Sequence, residues 1–212
     1  MWGLVVLSLL IASSGAQDNA CSREYSRSCE QEMMGFPDNE EQLEAYCPDA
    51  LKFFECQKAY QVGCNKDTKE VTAILEVIGE LCQKDSDLHK AVASHLKCIK
   101  DSFYQTSCGN TGYLETVNAY SNYEGEGTAD DIGSKTFCMV EAYAVACVGE
   151  VISSNCGNAV KEAILDMVRR TDYIGSKMTC TDNIREGIIQ DLPQLQINEV
   201  YKNTIRQLML KT

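Results

Sequence analysis

The sequence predicts an all-α protein: a disulfide-stapled helical bundle with a duplicated helical unit. Three observations carry this expectation. Apolar residues recur at the three-to-four spacing of one helical face over several stretches, and no comparably long alternating strand pattern occurs. Only three prolines interrupt the chain. The cysteines number twelve, an even count, as complete pairing requires.

Taken in order, residues 1–16 read as a signal peptide. An apolar run at residues 4–12 is about half the ~20 residues that a membrane span needs. Ser14 and Ala16 then satisfy the small-x-small cleavage rule and leave Gln17 as the new N-terminus. No later stretch is expected to cross a bilayer, and the C-terminus lacks the hydrophobic tail of a lipid-anchor signal. The expectation is therefore a secreted, extracellular protein of roughly 200 residues, one large domain or two small ones.

The first candidate helix starts at Asp38 and Glu41, is interrupted at Pro48 and resumes over residues 51–62. The clearest covers residues 67–82, where Asp67 and Glu70 resemble a capping box and Val71, Ile74, Leu75, Ile78 and Leu81 form one stripe. Residues 86–103 carry Leu88, Val92, His95, Leu96, Ile99 and Phe103 on another. His95 reads as a packed core histidine and His89 as a solvated one. Residues 107–133 are rich in Gly, Asn, Ser, Thr and Tyr and read as a linker or long surface loop, with a boundary near residue 125. Helices are expected again over residues 134–153, 158–170 and 197–210. The last is amphipathic and reads as a core-packing helix, with Ile197, Val200, Tyr201, Ile205, Leu208 and Met209 on its apolar face. The division is thus signal peptide 1–16, a cysteine-rich unit 17–125 with eight cysteines, and a second unit 126–212 with four.

Cys21, Cys29, Cys47, Cys56, Cys64, Cys82, Cys98, Cys108, Cys138, Cys147, Cys156 and Cys180 are all expected in disulfides, because an exported chain meets an oxidising compartment. Zinc sites want close C-x2-4-C pairs, and no two cysteines lie that near. Spacing leaves the connectivity open. Cys47-x8-Cys56-x7-Cys64 resembles Cys138-x8-Cys147-x8-Cys156, and each group stands five residues before Lys-Glu. Cys21, Cys29, Cys98 and Cys108 have no obvious counterparts in this comparison.

The pattern Cys47-x8-Cys56-x7-Cys64, Leu81-Cys82, Leu96-Lys97-Cys98 and Cys108 resembles a family of secreted, cysteine-rich helical proteins of arthropods and nematodes. The group includes insect 27 kDa haemolymph glycoproteins and nematode secreted domains of unknown function. The resemblance implies export, disulfides and helices in a body fluid or secretion, venoms included. It brings no catalytic residue, and the sequence has no Asn-x-Ser/Thr sequon for N-linked sugar.

No nucleophile elbow, zinc-protease helix or phosphate loop is present, so the expectation is a non-enzymatic protein with no catalytic residue, cofactor or metal. Glu124, Glu126, Asp130 and Asp131 lack the order of a calcium loop and read as solvated acid. A net charge of −12 disfavours nucleic acid and anionic lipid as partners. The first reading is an extracellular binding or structural component that displays residues 109–133 to a protein partner, with Tyr113, Tyr120 and Tyr123 as contact residues. Two alternatives stay open. One is a venom toxin-like effector on a receptor or channel. The other is a carrier of an apolar ligand, with a closed pocket lined by residues such as Leu75, Val92 and Ile164.

Overall fold

Helix α1 (Glu40–Gly63) begins at Asn39, whose side chain accepts from the Gln42 N–H, one residue later than the expected start at Asp38. Pro48 lies inside this helix and does not interrupt it. It stands on the exposed side, while Leu43, Cys47 and Ala50 face the core, so the hydrogen bond that its ring removes is lost on the side open to water. The structure, a computed structural model, describes residues 21, 29, 35–125, 127–177 and 179–210. The expected leader at 1–16 lies outside the described residues, as does Glu126.

Helix α2 (Lys69–Cys82) follows. Asp67 accepts from the Lys69 N–H, but the expected capping box does not form. The stripe over residues 86–103 is broken into α3 (Asp87–Val92), a single tight turn (Ala93–His95) and α4 (Leu96–Tyr104). The histidines exchange their expected roles. His89 is buried, its Nδ1–H donates to the Leu81 carbonyl at 2.7 Å, and its Nε2 lies 3.3 Å from Glu40 Oε1. His95 is only half-buried and meets Ser94 Oγ. The cause is the break at Ala93–His95, which turns the stripe that a continuous helix would have kept on one side.

The segment expected as a long loop is largely helical. Helix α5 (Cys108–Ser121) occupies its first half, and α6 (Ala129–Cys156) begins within its second. A capping box between Thr128 and Asp131 starts α6. Asp131 is thereby a cap rather than a loop acid, and the Thr128 hydroxyl holds its carboxyl below the ordinary range. Gly112 lets α5 approach closely: a Cβ there would stand 3.2 Å from the Tyr143 ring and 3.4 Å from the Ala144 backbone nitrogen. Gly157, at φ +100°, makes the one-residue corner between α6 and α7 (Asn158–Arg170), a conformation that L residues rarely adopt. Helices α8 (Asp182–Asp191) and α9 (Glu199–Met209) close the chain. Helix α9 is the expected core-packing helix. Ile205, Leu208 and Met209 are buried, the Tyr201 ring meets that of Tyr143 at a tilt of 58° with centroids 4.9 Å apart, and Val200 remains exposed.

The described residues contain no strand, and the protein is an all-α, disulfide-stapled bundle. Helix α6 is its spine and packs against α4, α5, α7, α8 and α9. By length and composition α6 would suffice to cross a membrane, contrary to the expectation that no later stretch would. Here it is bonded through Cys138, Cys147 and Cys156 to three other segments, the arrangement of a core helix.

All twelve cysteines are paired: Cys21–Cys64, Cys29–Cys56, Cys47–Cys82, Cys98–Cys156, Cys108–Cys147 and Cys138–Cys180. Within the first six cysteines the first joins the fifth, the second the fourth and the third the sixth. The last six repeat this order. Six cysteines allow 15 connectivities, so coincidence is a one-in-15 event. Cys21 and Cys29 therefore correspond to Cys98 and Cys108, the four left without counterparts by sequence. Each repeat carries six cysteines, not eight and four, and they divide between Cys82 and Cys98. A division near residue 125 would cut across Cys98–Cys156 and Cys108–Cys147.

Two apolar clusters follow the two repeats. One gathers Leu43, Val77, Leu88, Val92 and Leu96 with Ile99, Ile152 and Val160 of the second repeat. The other holds Tyr120, Met139, Tyr143, Leu165, Ile188, Leu192 and Ile205. The C-terminal end of α6 thus seals the first cluster while its middle builds the second.

Candidate functional site: an apolar groove beside the central helix

Residues 141, 144, 145, 148 and 149 recur at helical spacing and put Glu141, Ala144, Val145, Val148 and Gly149 on one side of α6. Opposite them stand Ile164 and Val168, one turn apart on α7, and Phe103 at the end of α4. Tyr173, just beyond α7, completes an open groove of about 370 Å³. The size lies within the range of small-molecule pockets, roughly 300–1,000 Å³. Its walls are fixed covalently and by the corner at Gly157. Cys98–Cys156 ties α4 to the end of α6, and Gly157 folds α7 back along α6. Phe103 and Tyr173, 45% and 39% exposed, form the rims.

Polar groups are few here. Glu141 is the one charged residue among those lining the groove. The Tyr173 hydroxyl lies 3.5 Å from Glu141 Oε2, at the outer limit of a hydrogen bond, and the Lys177 ammonium stands 4.1 Å from the centroid of the Tyr173 ring. A second depression of about 240 Å³, between the start of α2 and the end of α7, is lined by charges of both signs, among them Asp67, Lys69, Glu70, Arg170 and Asp172. Among the described residues no group of three His, Cys, Asp or Glu side chains is disposed to hold a metal ion.

The tyrosines expected as partner contacts fall apart as a set. Tyr113 is 51% exposed on α5. Tyr120 is buried and Tyr123 half-buried, and both hydroxyls donate to Asp191 at the end of α8, at 3.4 and 2.6 Å. Lys135 Nζ reaches the same carboxylate at 2.8 Å. These two tyrosines are internal struts, because helix 108–121 turns Tyr120 toward the core and Tyr123, just after it, follows to the same carboxylate. The carrier pocket expected around Leu75, Val92 and Ile164 is also revised. Ile164 lines the groove, Val92 lies in the first apolar cluster, and the groove is open rather than closed.

The Asp191 hub has a measurable consequence. Hydrogen bonding to Asp191, with burial, pushes the Tyr123 phenol up to about 12. Burial first, then the Asp191 charge, raises Tyr120 further, and burial raises Tyr143 to about 12. The fold thus favours the neutral phenols. Their contribution is full below the ordinary value of 10.0 and is lost as pH climbs through about 12. Phenolate absorbance should therefore rise in two phases in the native protein, the later one coinciding with loss of helical circular dichroism. A single phase near pH 10 for all 10 tyrosines would contradict the hub.

No family model, curated protein or solved structure matches the chain.

Proposed function

We propose that this is an exported, non-enzymatic binding protein whose disulfide frame holds an apolar groove ready for a small ligand. The observation that carries the reading is the groove itself: branched aliphatic side chains on two antiparallel helices, aromatic rims, and one carboxylate. Six disulfides fit an oxidising, extracellular setting. A covalently fixed groove loses little freedom when it fills, so more of the contact energy remains as affinity. The groove belongs to one repeat. Val145, Val148 and Gly149 stand at the same distances from Cys147 as Phe54, Gln57 and Lys58 do from Cys56 in α1. Bulk and charge occupy those positions in the first copy, so the two copies differ where the groove lies. Display of residues 109–133 as a loop has less support, since most of that segment is helix with a buried face.

Titration of the oxidised chain with decanol by calorimetry tests the reading. The groove has space for on the order of 12 non-hydrogen atoms at the ~30 Å³ that a water molecule takes in the liquid. Saturable one-to-one binding is expected, and Val148→Arg, which also gives up packing against both apolar clusters, should abolish it at a temperature where circular dichroism shows the helices retained. Binding that persists in Val148→Arg would remove the groove as the site.

A further inference from the structure

We propose that the ligand of this groove is an amphipathic amine, its apolar body along α6 and α7 and its protonated nitrogen at Glu141. The inference rests on the groove reading and adds the chemistry of the headgroup. Three observations carry it. First, Glu141 brings the one formal charge among the lining residues, on the same side of α6 as Ala144, Val145 and Val148. Second, that charge has no direct ion-pair partner among the described residues. On α6, Asp131 serves the Thr128 cap and Glu150 pairs with Lys161 at 2.5 Å, whereas no cation among the described residues forms an ion pair with Glu141. A carboxylate beside an apolar wall with only a long hydroxyl contact is matched by a ligand that brings a positive N–H donor. Third, the rim is aromatic: the Lys177 ammonium already takes the Tyr173 ring, so a ligand cation would use the ring of Phe103. Aromatic faces attract cations by their quadrupole, and Phe103 offers a second such face across the opening. A chain with a net charge of −12 also draws cations toward it at long range.

A neutral alcohol would fill the same volume and forgo the charged contact. A carboxylate ligand would meet Glu141 as a like charge. The groove should therefore rank amine over alcohol over carboxylate.

The test compares decylamine, decanol and decanoate against the oxidised full-length chain at neutral pH and low salt, with Glu141→Gln and Val148→Arg beside it. Decylamine should bind about tenfold more tightly than decanol, the worth of one charge-assisted contact, with decanoate weakest. Glu141→Gln should bring decylamine to the level of decanol and leave decanol unchanged. Equal binding of all three, a preference for decanoate, or an unaffected amine affinity in Glu141→Gln would overturn the headgroup assignment while decanol binding keeps the groove. Loss of all three ligands, or binding that survives Val148→Arg, would overturn both.

Discussion

Replacing Asp191 with alanine is expected to cost on the order of 3–5 kcal/mol of stability, the effect of leaving a buried charge without its partner. The side chains of Lys135 and Asp191 are 14% and 7% exposed, so the Lys135 ammonium would lose its counter-charge where water reaches it poorly. The Tyr120 and Tyr123 hydroxyls would lose their acceptor at the same time. Three parts of the fold meet at this carboxylate: the end of α5 with the turn after it, the first turns of α6, and the last residue of α8. Urea unfolding followed by circular dichroism gives the number. Removing both charges together, Lys135→Met with Asp191→Leu, should be less damaging than Asp191→Ala alone, because no unpaired ion remains. A double variant as unstable as the sum of its singles would show that the pair is not coupled.

Loss of the Cys98–Cys156 bridge, by Cys98→Ala with Cys156→Ala, should cost about 3 kcal/mol. The bridge spans 58 residues of sequence, but Cys108–Cys147 is nested inside it. The chain still free to move within the outer ring is therefore only about 20 residues, and the loop-closure entropy of that length sets the estimate. At the sensitivity of a domain this size, the melting temperature should fall by about 6–12 °C. The first apolar cluster gathers beside this bridge, since Ile152 and Val160 pack with Leu96 and Ile99. Ligand binding should weaken in the same variant, because α4 carries Phe103 to the rim of the groove. Unchanged melting would mean that packing alone holds α4 to α6.

Much of the helical content was legible because periodicity reports a buried side wherever an element is long and amphipathic. Residues 158–170 appear as expected, and α9 buries the apolar side assigned to it. Helix α5 was hidden by its glycines, asparagines and serine, which read as loop. Gly112 is there for a different reason, the close approach to Tyr143 and the α6 backbone. Pro48 read as a break, although a proline on the water side of a long helix is tolerated when the other side is packed. Most groove residues gave no separate signal, because Val145, Val148 and Val168 look like any half-buried valine until three helices converge. Phe103 lies on an apolar stripe and Ile164 is expected beside a closed pocket, yet a stripe does not say whether it meets a neighbour or a space. Connectivity was legible in retrospect only: the matching spacings around Cys56 and Cys147 mark the repeat, and the pairing order needed the third dimension.

The bridge between Cys108 and Cys147 also straddles the short connection from Ser121 to Ala129. A protease that nicks the backbone there would release nothing, for the two pieces would stay joined through sulfur. Such a molecule would run as one species on a gel until a reductant split it, so an apparently intact band in a secretion would conceal a cleaved chain.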